Sequence, residues 1–224
     1  MSAPPSVAVC GAASWNQLIL LDHLPEPVPH MQFARRSWHT IGGTSAGKAL
    51  HLASLGVNVR LCSPLGTDAE GQRIRSALTA AGIDVEPLAS EQTERHLNLM
   101  SDDGKRVSLY LAVPSTPTEH ELSIAAEAVA AADVAVERGP RLAVCTRGAE
   151  GAIALEASGA RHEVSALPAD VVDTNGAGDA FMTGFLAATL RGATIDGALT
   201  AGAAQARTAV ESDHLHPKLS ELLI

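Results

Sequence analysis

Ser6-Val7-Ala8-Val9-Cys10-Gly11 is a short, β-branched apolar run that ends in glycine, and it predicts a buried first strand. Val57-Asn58-Val59-Arg60-Leu61-Cys62 and Ile83-Asp84-Val85 read the same way. Helical spacing lies between these runs. Residues 49–55 place apolar side chains at helical intervals, with Thr44 or Ser45 in capping position and Gly56 as the stop. Thr67-Asp68-Ala69-Glu70 has capping-box spacing and opens a second helix that Gly82 closes. Alternating strands and helices of this kind predict a parallel sheet with helices on its faces. Two segments break the alternation. Residues 95–100 and 106–113 flank Ser101-Asp102-Asp103-Gly104-Lys105, where Asp103-Gly104 signals a hairpin of antiparallel, peripheral strands. Pro25, Pro27 and Pro29 introduce residues 30–41, which are too polar for a central strand and predict an edge flap or lid.

In the second half, Thr118-Glu119-His120-Glu121 opens an alanine-rich helix to about Ala132, and Asp133-Val134-Ala135-Val136 begins a strand. Arg141-Leu142-Ala143-Val144-Cys145-Thr146 is another, with only Glu137-Arg138-Gly139-Pro140 between them. A parallel crossover takes about a dozen residues or more, so the two form a hairpin or a unit is absent. Ala152-Ile153-Ala154-Leu155 pairs with Arg161-His162-Glu163-Val164 across further turns. A helix then runs from Phe181 to the stop at Gly192, and residues 195–210 form a small-residue helix able to pack closely against it. Asp213-His214-Leu215-His216 carries metal-capable side chains, but near a terminus these are expected to be solvated, and no metal is assigned to them.

Composition narrows the reading. Apolar residues are 46% of the chain and aromatics 3%, so the core must be Ala, Val, Leu and Ile, which suits helices on a parallel sheet. The 224 residues suffice for one large domain with a small appendage. A net charge of −9 argues against nucleic acid or an anionic membrane as principal partner. Cys10, Cys62 and Cys145 sit in apolar runs without close spacing, which predicts buried thiols rather than disulfides or a zinc site. With no 18-residue apolar stretch and no signal-peptide pattern, a soluble cytoplasmic protein is expected.

The richest chemistry lies in Asp173-Thr174-Asn175-Gly176-Ala177-Gly178-Asp179-Ala180-Phe181. Gly176 and Gly178 free the backbone so that successive N–H groups can converge on a phosphate at the mouth of the following helix. Asp179 sits in the first turn, where the helix dipole favours a carboxylate. An anion site with a base beside it is what phosphoryl transfer to a hydroxyl requires; a merely capped helix start is the plain alternative. Asn16 follows the first strand and can point into a cleft at the sheet's carboxyl edge, or serve only as a turn residue. Gly42-Gly43-Thr44-Ser45-Ala46-Gly47-Lys48 nearly matches a P-loop, but Ala49 replaces the hydroxyl that holds magnesium, so a tight turn admitting a substrate to the backbone is the better reading. The Thr146-Arg147-Gly148-Ala149-Glu150-Gly151 turn allows a nucleotide close to the backbone, and equally an ordinary hairpin.

Residues 42–56, the turn from Thr146 to Gly151 and the stretch from Asp173 to Phe181 together resemble the PfkB family of carbohydrate and nucleoside kinases, the ribokinase-like fold. The resemblance implies a single α/β domain over residues 1–224: a three-layer sandwich with a mostly parallel central sheet and a small β lid from about 25–41 and 95–113. It implies Asp179 as catalytic base, and Thr174, Gly176, Ala177 and Gly178 as the phosphate site. Thr146 and Gly148 would lie beside ATP, and Asn16, Gly42, Gly43, Gly47 and Lys48 beside the acceptor. ATP and Mg2+ follow, with a monovalent cation and Asp173 near it as an option, and a homodimer through the lid.

Three departures qualify this. Family sugar kinases usually have Asp at Asn16 and Asn at Gly47, both holding sugar hydroxyls, so a standard hexose or ribose pocket is in doubt. Lys48, if turned inward, suits an acceptor carrying phosphate or carboxylate. Between Val136 and Glu137 the family has further β–α units, including an Asn-x-x-Glu motif that organises magnesium, and roughly sixty residues are missing. The expected function is an ATP-dependent kinase acting on a hydroxyl of a sugar-like or nucleoside-like molecule. The alternatives are a catalytically impaired, truncated relative that binds nucleotide or sugar, and a P-loop NTPase using residues 42–48.

Overall fold

The computed structural model of the chain describes residues 6–114, 142–156 and 158–223. The predicted helix at 118–132 and strand at 133–136 fall outside them. The first layer is the parallel sheet β1 (Ser6–Cys10), β4 (Asn58–Leu65) and β5 (Asp84–Ala89), in the order β1-β4-β5. Helices α1 (Thr44–Ser54) and α2 (Ala69–Ala80) supply its cover. The shared core joins Val59, Leu61 and Leu65 to Leu50, Leu52, Ile74, Leu78 and Ile83, all aliphatic, as the scarcity of aromatics required.

The helix ends differ from the sequence expectation. Neither Thr44 nor Ser45 caps α1; Gly43, at φ 93°, is its N-cap, and Ser45 Oγ instead donates to Cys10 O at 3.2 Å. A side chain at Gly43 would strike the carbonyl of Ala12, so the close approach of the turn before α1 to the chain just after β1 requires glycine there. Helix α2 is capped by Asp68, not Thr67: its carboxylate accepts from the amides of Gly71 and Thr93, both at 2.8 Å, and from Thr93 Oγ1.

The lid is a four-stranded sheet, ordered β3 (Arg36–Gly42), β2 (Ser14–Leu21), β6 (Glu94–Ser101) and β7 (Arg106–Ala112). Its hairpin β6–β7 is the expected one, and β3 is the expected edge strand. Strand β2 is an addition: the apolar run after Asn16 forms the lid's inner strand, antiparallel to β3 and parallel to β6. Register sets Thr40, Asn16, His96 and Tyr110 in one row across the sheet. Because side chains alternate, Asn98 and Ser108 fall on the same face one step along.

After the undescribed segment comes an antiparallel sheet of β8 (Leu142–Thr146), β9 (Ala152–Glu156) and β10 (Arg161–Val164). Helices α3 (Ala177–Leu190) and α4 (Ile195–Val210) cover it. They approach closely because both carry glycine at the crossing: Gly202 lies beneath Phe181 and Gly184 against the Ala201 carbonyl, with no room for a Cβ at either. A short helix α5 (Leu219–Leu222) returns the chain to α2. Among the described residues the β1-β4-β5 and β8-β9-β10 sheets share no strand pairing. Strands β1 and β8 carry Cys10 and Cys145, which are exposed; only Cys62 is buried as expected. Among the described residues both strands are the outer members of their sheets, whereas Cys62 lies on the central strand β4. Cys10 is also the register partner of Cys62, a proximity that sequence spacing hid.

Candidate active site

The turn before α3 is held from two directions. Asp173 Oδ1 accepts from the Asn175 amide at 3.0 Å and from its side-chain nitrogen at 2.5 Å. Behind it, the carbonyl of Val210, at the end of α4, accepts from the amides of Val172 and Asp173. Gly176 then takes a left-handed conformation, φ 75°, as N-cap, and no side chain caps the helix. The amide of Ala177 donates to Thr174 O at 3.4 Å and that of Ala180 to Gly176 O at 2.8 Å, so the amides of Gly178 and Asp179 are the ones left without a backbone acceptor among the described residues, at the positive end of the α3 dipole. Space at Gly178 is open: a Cβ there would meet nothing within 4 Å.

Two cavities meet at this turn. One, of about 340 Å³, is lined by Asn16, Gly42 and Gly43 from the lid hinge, by His96, Asn98 and Tyr110 from the lid, and by Asp173, Gly176 and Asp179. The other, of about 640 Å³, is lined by Thr146, Gly148 and Gly151 and by Thr174, Ala177 and Gly178, with Leu167, Val171, Phe181, Ala203 and Ala206 as apolar walls. Asp179 thus faces the first cavity while its neighbours Ala177 and Gly178 face the second. The site is arranged as a mixed polar cleft and a larger, more apolar pocket separated by one uncapped helix end.

The remaining predicted residues fall as follows. Asn16 is buried and accepts from Ser14 Oγ at 2.8 Å, and its amide lies over Gly42, where a Cβ would collide with it. Lys48 does not line the cleft; its ammonium sits 3.1 Å from Asp179 Oδ1. Gly47 is buried, and a Cβ there would lie in ordinary contact with the Leu215 side chain at 3.6 Å. Gly42 to Lys48 is not a phosphate loop: the amide of Gly47 is already bonded to Gly43 O at 3.1 Å, and the segment follows an antiparallel lid strand.

Sequence reasoning missed the 213–216 segment. His216 is buried and His214 half-buried, rather than solvated. Asp213, His214 and Leu215 line the acceptor cleft, with Arg36 2.7 Å from Asp213 and His214 Nδ1 2.7 Å from Thr40 Oγ1. Burial holds His214 below its ordinary value, partly offset by Asp213. Behind it, His51 donates from Nε2 to Leu215 O at 2.8 Å and accepts at Nδ1 from Gln205 Nε2 at 2.6 Å, which fixes the neutral tautomer. Burial, reinforced by nearby His216, lowers His51 from 6.5 to about 4. The segment's alternation of two histidines with Asp and Leu was the available signal, since solvated tails rarely need that mixture.

The model of the pfkB family of carbohydrate kinases matches residues 5–115 and 109–220. The chain belongs to that family. Among relatives of this pfkB kinase, an acarbose 7(IV)-phosphotransferase from Actinoplanes sp. is 28% identical over 272 residues, covering 91% of each chain. That alignment is longer than the 224 residues of the chain, and the family match falls in two segments. The structure of a microbiome-derived acarbose kinase, Mak1, superposes with TM-score 0.78 at 24% identity over 99% of both chains. An Arabidopsis thaliana ribokinase, solved with ribose and ATP, gives 0.75 at 19%, again over 99% of both. The α/β sandwich with its lid is thus the ribokinase fold, and the turn before α3 is set within a kinase framework.

Proposed function

We propose that the protein transfers the γ-phosphoryl group of ATP to a hydroxyl of a sugar-like or nucleoside-like small molecule. The observation that carries this reading is the meeting of two cavities at one turn, with Asp179 lining the acceptor side and Thr174, Ala177 and Gly178 the other, at a helix end that no side chain caps. In the reaction Asp179 takes the proton of the acceptor hydroxyl as its oxygen attacks the γ-phosphorus. The bond to the β–γ bridging oxygen breaks and ADP leaves. The first-turn N–H groups hold the charge spread over the phosphoryl oxygens. Lys48, paired with Asp179 in the free protein, releases the carboxylate when the phosphate arrives and turns its ammonium to the phosphoryl oxygens.

ATP fits the larger pocket: apolar walls suit a base, and the uncapped helix end suits phosphates. Among the described residues no group of three carboxylate, histidine or cysteine side chains stands together, so these residues offer Mg2+ no cage, and the ion would travel with the phosphates. Asp173 is committed to Asn175, which argues against a separate cation role for it. The lid face turned away from the cleft carries Ile19, Leu97, Leu99, Val107 and Leu109, and we assign it to a homodimer contact. A reaction drawing on ATP suits the cytoplasm; among the described residues no helix is long and apolar enough to cross a membrane.

The test is Asp179→Asn in a coupled ADP-release assay. Turnover with a cognate acceptor should fall by about 10²–10⁴-fold; undiminished turnover removes Asp179 from the base role. A second reading is a protein that binds nucleotide or sugar without transfer. The absence of strand pairing between the two sheets among the described residues, and the two-segment family match, favour it. Calorimetric ATP binding without ADP release on any acceptor would decide for it.

A further inference from the structure

On the lid wall of the acceptor cleft, almost every buried polar side chain is satisfied within the protein. Asn16 accepts from Ser14, and Thr40 is bonded to His214. Asn98 accepts from Ser108 Oγ at 2.7 Å, which in turn accepts from Arg106 Nε at 2.9 Å. His96 is the exception. It is 8% exposed, and its Nε2 has no hydrogen-bond partner among the described residues. Glu94 Oε1 stands 2.8 Å from that nitrogen, at ion-pair distance but without a hydrogen bond between them, so the hydrogen-bonding capacity of the nitrogen is left unused. A buried donor left this way costs about 1–3 kcal/mol, and its persistence beside a carboxylate in a ligand-sized cleft points to a third partner.

We infer that Glu94 and His96 are the acceptor-recognition pair of this kinase and that they select an uncharged, hydroxyl-rich acceptor over a phosphorylated or carboxylated one. The inference rests on the kinase reading of the cleft. A vicinal diol supplies what the pair lacks: two O–H donors for the carboxylate, and an oxygen for the histidine. Tyr110, 64% exposed and tilted over the imidazole at 4.0 Å, is the cover that must swing aside to admit it. The pair also supplies a carboxylate one strand away from Asn16, in the row next to it: Ser14 is the register partner of Glu94 and Asn16 of His96. The charge balance disfavours anions. Glu94, Asp173, Asp179 and Asp213 all line the cleft, whereas in the free protein Lys48 is paired with Asp179 and Arg36 with Asp213. Arg106, bonded to the neutral Ser108 hydroxyl, is the one lining cation among the described residues without a carboxylate partner, so an acceptor phosphate would meet carboxylates in excess.

The experiment presents the full chain and ATP with matched probes: ribose and ribose 1-phosphate, inosine and inosine monophosphate, glucose, gluconate and maltotriose. ADP release and calorimetric binding are both read. The expected result is a neutral acceptor as the best of the set, with Glu94→Gln raising its KM about tenfold or more and leaving kcat and the KM for ATP within about threefold. Glu94→Asp should recover part of the affinity, and an unchanged melting midpoint for either variant excludes a merely structural effect. Preference for a phosphate ester or sugar acid overturns the proposal, as does an unchanged KM in Glu94→Gln. If ATP binds and none of the neutral probes does, the proposal falls while the nucleotide half of the kinase reading stands; if ATP fails to bind as well, both fall.

Discussion

The two cavities that meet before α3 are built from opposite materials. The acceptor cleft is walled by carboxylates, histidines and amides drawn from the lid, the helix turn and the 213–216 segment, elements far apart in the chain. The pocket proposed for the nucleotide is walled mainly by Ala, Leu, Val and Phe side chains and glycine backbone, with Thr146, Thr174 and Arg207 as its polar members, all from the second half. Polar walls position hydroxyls by direction and so tolerate little change; apolar walls exclude water and tolerate substitutions that keep volume. Specificity should therefore reside in the first and be sensitive to single polar changes, while the second should respond chiefly to bulk.

That contrast can be tested in order of expected effect. Asp179→Asn should abolish most turnover, the 10²–10⁴-fold loss stated above, yet leave the calorimetric affinity for ATP within about threefold, because the carboxylate faces the other cavity. Next is pH. His51 has its folded value depressed from 6.5 to about 4, so the neutral form is the one the fold holds. Between those values the unfolded chain binds the additional proton, and stability is present above pH 6.5 and lost as pH falls toward 4, by up to about 3 kcal/mol. Denaturant titrations at stepped pH should show this slope, and His51→Gln should flatten it. Filling the apolar pocket with Ala206→Phe should weaken ATP about tenfold while acceptor affinity holds. Smallest, Lys48→Met should lower kcat about fivefold without moving the acceptor KM, since its ion pair with Asp179 is partly exposed.

Much of this was legible before the structure. Strands β1, β4 and β5 and helices α1 and α2 announce themselves through periodicity and glycine stops, because each is a local decision between neighbouring residues. The Gly176–Asp179 turn is legible for the same reason. What escaped reading depends on distant partners. The inner lid strand β2 carries Asn16 and Leu18 side by side on one sheet face, a pattern that a turn explains as well until β6 is seen beside it. Leu215 looks like a tail residue and in fact packs beside Gly47 of α1. Lys48 reads as an acceptor ligand until the packing of α1 on α3 brings it to Asp179. Glu94 carries no motif at all, and only its unmet neighbour His96 marks it.

The position of Leu215 has a consequence for how the protein comes into being. Its side chain lies beside Gly47 of α1 and beside the Gly176 turn, and its carbonyl accepts from His51, also of α1, so two separate parts of the site are closed by a residue made after both. Chains emerge from the ribosome at about 5–20 residues per second and fold from the N-terminus onward. The lid, the first sheet and the turn before α3 would thus all exist in an unfinished form, with the acceptor cleft still open on one side. Full catalytic competence would arrive late, as a single closing event, and nascent chains halted before residue 215 should bind nucleotide before they can hold an acceptor.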